Sequence, residues 1–280
     1  MPVSEQEKQY LRARYNSVTV LVKQGELVEL SYVNSKPAPR RPGKRKAITG
    51  FSPSSRLRVL KRMATIHWPS VGKSLFCTAT YPDDDAIRTY QERSIDRHRL
   101  FRDMEKHLGK EISLAWRIEW VPRKSGKHVG LLLPHVHLIV FNCRWLDCQV
   151  FNALWRGVLH ADGYVRTEVQ RIENERDVAK YVGKYIGKPE EDRSLVIASK
   201  LNTVGRAWGF HRPSGIPWCQ RTSEWALTQE EIDLLENAAC SKIPYFPRGT
   251  RSGFSLFGPI VKKVMEEIRL RRIDRLKAGR

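Results

Sequence analysis

The 280-residue chain has little that would staple, anchor or export it. Its five cysteines (Cys77, Cys143, Cys148, Cys219, Cys240) are odd in number and form no C-x-x-C pair, which argues against both a disulfide framework and a zinc ribbon. Its longest apolar runs, Val129–Leu133 and Leu138–Phe141, fall far short of the ~20 residues a membrane-spanning helix needs. Met1–Leu11 carries charges where a signal peptide needs an apolar stretch. A reducing cytosol is therefore the expected location, with no membrane partner. Nor is there a nucleotide-hydrolysing motif. Val71-Gly72-Lys73-Ser74 ends like a phosphate-binding loop, but His67 stands where the first glycine belongs and a strand follows where a helix should. No ATPase, no helicase and no small-molecule cofactor follow from this sequence. Acid is scarce as well: 30 Asp and Glu stand against 50 Lys and Arg, a net charge of +20.

The surplus charge is uneven. Residues 1–62 hold 14 Lys+Arg and 4 Asp+Glu, and residues 241–280 hold 11 and 3, so the 25 and 23 left in between net only +2. Basic flanks on a near-neutral middle suit a polyanion, and nucleic acid is the reading this supports. The densest run, Pro39–Lys46, has no interleaved apolar residues to bury in a membrane, and a solvated linker explains it equally well. Hydrophobic residues at 41%, with eight Trp, nine Tyr and nine Phe, supply a real core.

Periodicity predicts a hairpin over Ser17–Val33 around Gly25, a Pro- and Arg-rich linker over Ser35–Gly50, and a basic helix over Ser52–Met63 opened by Pro53. Strands are expected at Ser74–Thr80, Glu111–Val121, Val129–Phe141 and Tyr164–Ile172. Helices are expected at Asp83–Leu108, opened by three acids and closed by Gly109, and at Trp145–His160, Asn174–Lys188, Thr228–Ala239 and Pro259–Leu276. The order β-α-β-β-α-β-α predicts an α+β fold, an antiparallel sheet with helices on one face. Three regions follow: a basic N-terminal region with its linker (1–62), a central domain (63–190) and a C-terminal basic, aromatic and helical region (191–280). The last helix sets Lys262, Lys263, Arg271 and Arg272 beside Val261, Val264, Ile268 and Ile273, a face for DNA or a partner, or simply a solvated one.

Two patterns could carry chemistry. In Pro134–Val140 the histidines His135 and His137 are two apart in a strand, so both imidazoles share a face and can hold a divalent ion; backbone-satisfied histidines on a half-buried face would look the same. On the preceding strand Leu114, Trp116, Ile118 and Trp120 take one face, and Ala115, Arg117 and Glu119 the other. Antiparallel pairing would bring Glu119 opposite residues 135–137, unless it pairs instead with Arg117 or Arg123. Two imidazoles and one carboxylate suit Mg²⁺ or Mn²⁺ acting as a Lewis acid, and suit Zn²⁺ less without thiolates. In the second pattern, Tyr181 and Tyr185 stack four apart on a helix beside a row of Lys180, Lys184 and Lys188. Val178, Tyr181, Val182, Tyr185 and Ile186 also fit an ordinary core-facing stripe, which Gly183 and Gly187 weaken.

Taken together, Phe76–Pro82, His135-Val136-His137 and the run from Tyr181 to Lys188 resemble, in order, the three motifs of the HUH endonucleases, the rolling-circle replication initiators of small plasmids and single-stranded DNA phages. Tyrosines four apart are similar to the phage class, and Gly205–Gly209 resembles a stretch that follows the catalytic helix there. Ala79 stands where an aliphatic residue is commoner. The resemblance spans roughly residues 48–218. It implies a ferredoxin- or RRM-like nuclease core, a metal held by His135, His137 and Glu119, and Tyr185 as the nucleophile on a single-stranded origin. Lys184 and Lys188 would stabilise phosphate charge or the phenolate, since a phenol of pKa ~10 is a poor nucleophile at neutral pH. Tyr181 would take the second strand transfer, and a host helicase would unwind. The competing readings are an HUH transposase or relaxase, and a non-enzymatic basic nucleic-acid-binding protein.

Overall fold

A computed structural model describes residues 19–32, 51–82, 88–122, 129, 132–163, 165–173, 181–182, 186, 206–225, 227–241 and 254–279. They run through β1 (Thr19–Gln24), β2 (Leu27–Tyr32), α1 (Pro53–Ala64), β3 (Ser74–Thr80), α2 (Tyr90–Leu108), β4 (Ser113–Pro122), β5 (Leu132–Phe141), α3 (Cys148–Leu159), β6 (Thr167–Ile172), β7 (Trp208–His211), β8 (Arg221–Trp225), α4 (Gln229–Cys240), β9 (Phe254–Phe257) and α5 (Pro259–Lys277). The fold is α+β, with two antiparallel sheets in two compact units. Among the described residues no helix is long and apolar enough to cross a membrane.

One unit holds the central part of the chain. Its five strands lie in the order β6-β3-β5-β4-β7, so the β-α-β-β-α-β run from β3 to β6 takes the strand order of a ferredoxin-like sheet. Leu75, Cys77 and Ala79 of β3, Val136, Leu138 and Val140 of β5, and Leu114, Trp116, Ile118 and Trp120 of β4 face one way. There they pack against Leu100, Phe101 and Met104 of α2 and Phe151, Trp155, Val158 and Leu159 of α3. One face is thus closed by helices, which leaves the alternate residues of every strand on the other.

Helix α2 begins later than its acids suggested. It opens at Tyr90, because Thr89 takes an extended backbone and makes a reciprocal capping box with Glu92; Asp83–Asp85 lie outside the described residues. It closes as expected at Gly109, whose φ of 63° is left-handed. Its buried stripe runs through Arg93, Asp96 and Arg97 before reaching Leu100, Phe101 and Met104. Two guanidiniums complete that packing, Arg93 lying 4.8 Å from the Trp120 ring centroid and Arg97 3.9 Å from that of Trp116. Burial lowers the Arg97 pKa to about 10. At the sheet edge β7, unforeseen from sequence, pairs with β4 and sets Gly209 opposite Trp116. A Cβ at Gly209 would stand 2.9 Å from the Trp116 indole, so only glycine admits that approach. Arg212 then ties this edge to α2 through a 2.6 Å bond to Glu105.

The other unit gathers both ends of the chain into a four-stranded sheet, β8-β1-β2-β9. The expected hairpin is β1–β2, turning at Gly25 with φ 61°. Leu21, Val28, Leu30 and Leu256 of this sheet pack on Leu235 and Ala239 of α4 and on Val261, Val264 and Ile268 of α5. The basic residues of α5 are partly spoken for: Arg272 bonds Glu231 at 2.9 Å, Arg275 reaches Glu230 and Glu231 at 3.4 Å, and Arg271 pairs with Glu230 and Glu267. The segments that looked like separate basic extensions share one sheet and one core. The expected linker at Ser35–Gly50 lies outside the described residues.

Candidate active site

On the face of the central sheet opposite α2 and α3, register decides what meets. Antiparallel pairing of β4 and β5 sets Glu119 opposite His135 and Arg117 opposite His137, as the alternation predicted. From the other side β3 sets Thr80 opposite His135 and Thr78 opposite His137. Each imidazole is therefore flanked by a threonine and by a charged residue of β4.

His137 is held at both ring nitrogens. Its Nε2 lies 2.8 Å from Glu119 Oε2 and its Nδ1 3.1 Å from Thr78 Oγ1. A carboxylate only accepts, so Nε2–H donates to Glu119, and in a neutral ring Nδ1 accepts from the threonine hydroxyl. Glu119 and His137 are both buried. His135 is half-buried, its Nδ1 3.5 Å from Thr80 Oγ1 and its ring centroid 6.2 Å from that of His137. Burial, with His137 adding to it, pushes the His135 pKa down to about 4, so at neutral pH its lone pair is not taken by a proton. Glu119 has His137 as a partner; Arg123, weighed as an alternative, lies outside the described residues. Arg117 is fully buried, with its guanidinium 4.2 Å from the Phe51 ring centroid and Nη1 donating to Ile186 O at 3.4 Å.

Of the tyrosine-lysine run, Tyr181, Val182 and Ile186 are described and helical; Lys184, Tyr185 and Lys188 lie outside the described residues. Tyr181 is buried, its ring stacked on Phe76 at 4.6 Å and 15°. Phe76 also stacks on His137, at 5.6 Å and 18°. Phe76 thus links the tyrosine helix to the histidine strand. The Tyr181 hydroxyl donates to Gln170 Oε1 at 2.5 Å, and the Gln170 amide bonds Glu168. In this conformation the phenol is engaged with β6, so any part in strand transfer begins by leaving Gln170.

The donor types can hold a divalent ion: two imidazoles, that of His135 neutral with a lone pair on one ring nitrogen, and a carboxylate within bonding distance of His137. As they stand they form a hydrogen-bonded pair with a neighbour. Among the described residues no group of three or more His, Cys, Asp and Glu side chains is drawn together tightly enough to hold a metal. Sequence reasoning missed Thr78, Thr80, Phe76 and Gln170. For the threonines the signal was present, two hydroxyls at period two in Phe76–Pro82, but a hydroxyl gains meaning only once the strand beside it is known.

Residues 74–190 match the family model described as replication-associated protein ORF2/G2P. The matched span opens at the first residue of β3 and takes in both histidines, Glu119 and the tyrosine-lysine run. It supports reading the chain as a replication initiator. No curated protein and no solved structure gives a significant match.

Proposed function

We propose that this protein initiates rolling-circle replication in the cytoplasm of a bacterial host by nicking a single-stranded origin through tyrosine attack, and later rejoins the DNA. The observation that carries the reading is that His135, His137 and Glu119 share one sheet face, with His137 bonded to Glu119, within the segment that matches ORF2/G2P. His135, His137 and Glu119 would hold Mg²⁺ or Mn²⁺, which supplies a Lewis acid at the scissile phosphate. Thr78 and Thr80 orient the two imidazoles, and Phe76 fixes the distance between the histidine strand and the tyrosine helix.

In the chemical step the Tyr185 oxygen, having given up its proton, attacks phosphorus. The bond from phosphorus to the 3′ oxygen of the preceding nucleotide breaks, and that oxygen takes up a proton. A 5′-phosphotyrosine and a free 3′-OH result, and the ester retains the means to rejoin the strand. Lys184 and Lys188 offset phosphate charge or favour the phenolate. Tyr181 accepts the second strand once it has left Gln170. A host helicase supplies unwinding.

The test is incubation of origin single-stranded DNA with the protein and Mn²⁺. A covalent protein-DNA adduct is expected that Tyr185→Phe abolishes, while Tyr181→Phe leaves one round of cleavage and impairs circle release. An adduct that persists in Tyr185→Phe/Tyr181→Phe, or none with the wild type, overturns the reading.

A further inference from the structure

At the far end of the central sheet from Thr80 and His135, where β3 begins and β5 ends, the backbone builds a second basic feature. Asn142 follows β5 in the left-handed conformation, φ 53°, which asparagine tolerates better than most residues. Its side-chain oxygen accepts the Gly72 N–H at 2.8 Å and its carbonyl accepts Lys110 Nζ at 3.0 Å. The chain beyond it is thereby pinned, and it presents Arg144 and Trp145 outward. Gly72, Lys73, Asn142 and Arg144 line a concave site of about 420 Å³. Trp145 is 57% exposed, with the Arg171 guanidinium 4.8 Å from its ring centroid.

Four cations, Lys73, Lys110, Arg144 and Arg171, therefore surround one short loop in a middle region that nets only +2. Two acids stand nearby: Asp147 accepts the Gln149 and Val150 N–H groups at the head of α3, and Glu173 lies 3.8 Å from Lys73 in an exposed pair that a phosphate would displace. The half-exposed indole of Trp145 offers an aromatic surface on which a base can stack. Indole, guanidinium and a concave basic site together match the alternation of base and phosphate along an unpaired strand.

We propose that this loop is a second contact for single-stranded DNA, a base stacking on Trp145 and a phosphate seated between Lys73 and Arg144. The choice of DNA rests on the function proposed above. Arg171 pairs with Leu75, so the Trp145–Arg171 stack lies toward the helix-covered face of the sheet and not on the face of the histidines. A base held on the indole would anchor the strand outside the histidine site, so the loop adds affinity for the DNA that flanks it.

The experiment measures binding without chemistry: anisotropy of a labelled 20-nucleotide single strand in EDTA, with the full chain, across a series of salt concentrations. Trp145→Ala should weaken binding about tenfold, the lower part of the range for a lost base-aromatic stack. Trp145→Phe should recover most of it. Lys73→Ala/Arg144→Ala should lower the log-log salt slope by about 0.7 for each phosphate released. Unchanged affinity in Trp145→Ala together with an unchanged slope in the double variant overturns the proposal, as does equal or tighter binding of RNA of the same sequence. The wild-type adduct with Mn²⁺ is scored separately. If no adduct forms but these binding losses appear, the nicking reading fails and the DNA contact stands.

Discussion

Glu119 and His137 share one proton on a buried face, and that sharing makes the carboxylate the residue to test first. Glu119→Gln keeps the size of the side chain and removes its charge. It should weaken Mn²⁺ binding at least about tenfold, read by titration calorimetry, while the thermal midpoint moves little; unchanged affinity would remove Glu119 from the metal set. Tyr181 makes a separate case. Its hydroxyl donates to Gln170 in a partly buried bond, so Gln170→Leu should cost about 0.5–1.5 kcal/mol. Adding Tyr181→Phe to it should recover part of that loss. Urea unfolding of the two single variants and the double gives the coupling, and strict additivity would show that the bond contributes nothing.

At the scale of elements, close approach governs. Trp116 sits under Gly209, and a methyl group there meets the indole at 2.9 Å, so β7 or the tryptophan must shift. Gly209→Ala should lower stability by about 1–3 kcal/mol in urea unfolding, the ordinary cost of overpacking; a change below about 0.5 kcal/mol would mean the edge strand moves freely. Helix α2 shows why periodicity alone undercounted the core. Its inward stripe has helical spacing, but its first half is Arg93, Asp96 and Arg97, which a hydrophobicity pattern reads as solvent-facing. Only the tryptophans on the strand below make those positions interior ones.

For the whole molecule, two carboxylates tie distant segments together, one in each unit. Burial would raise the Glu231 pKa, but Arg272, the Thr228 N–H and Arg275 outweigh it and hold the carboxyl below its ordinary value. Glu105 is likewise held down, by Arg212, the Ile112 N–H and His211 against its own burial. A depressed folded pKa means stability that is present above the ordinary carboxylate value, near ~4.3, and lost as pH falls through the folded one. Glu231→Gln should therefore lower the urea midpoint at pH 7, and the difference from wild type should shrink by pH 3. A constant difference across that range would show that the charge is not what matters.

How the chain divides its information follows from range. The hairpin, the strands β3 to β6 and most helix ends were legible to within about three residues, because alternation, capping residues and glycine act locally; Gly25, Gly109 and Thr228 each mark an end of an element, whereas the start of α2 and the strands β7, β8 and β9 were missed. The sharing of a face by His135, His137 and Glu119 was legible too, since strand parity needs only residue numbers and an antiparallel turn. Tertiary structure alone decided that Thr78 and Thr80 orient the imidazoles, that Phe76 joins histidine to tyrosine, and that both ends of the chain build a single sheet. Those are contacts between segments far apart in sequence, and no local periodicity reports which strand edge will meet which.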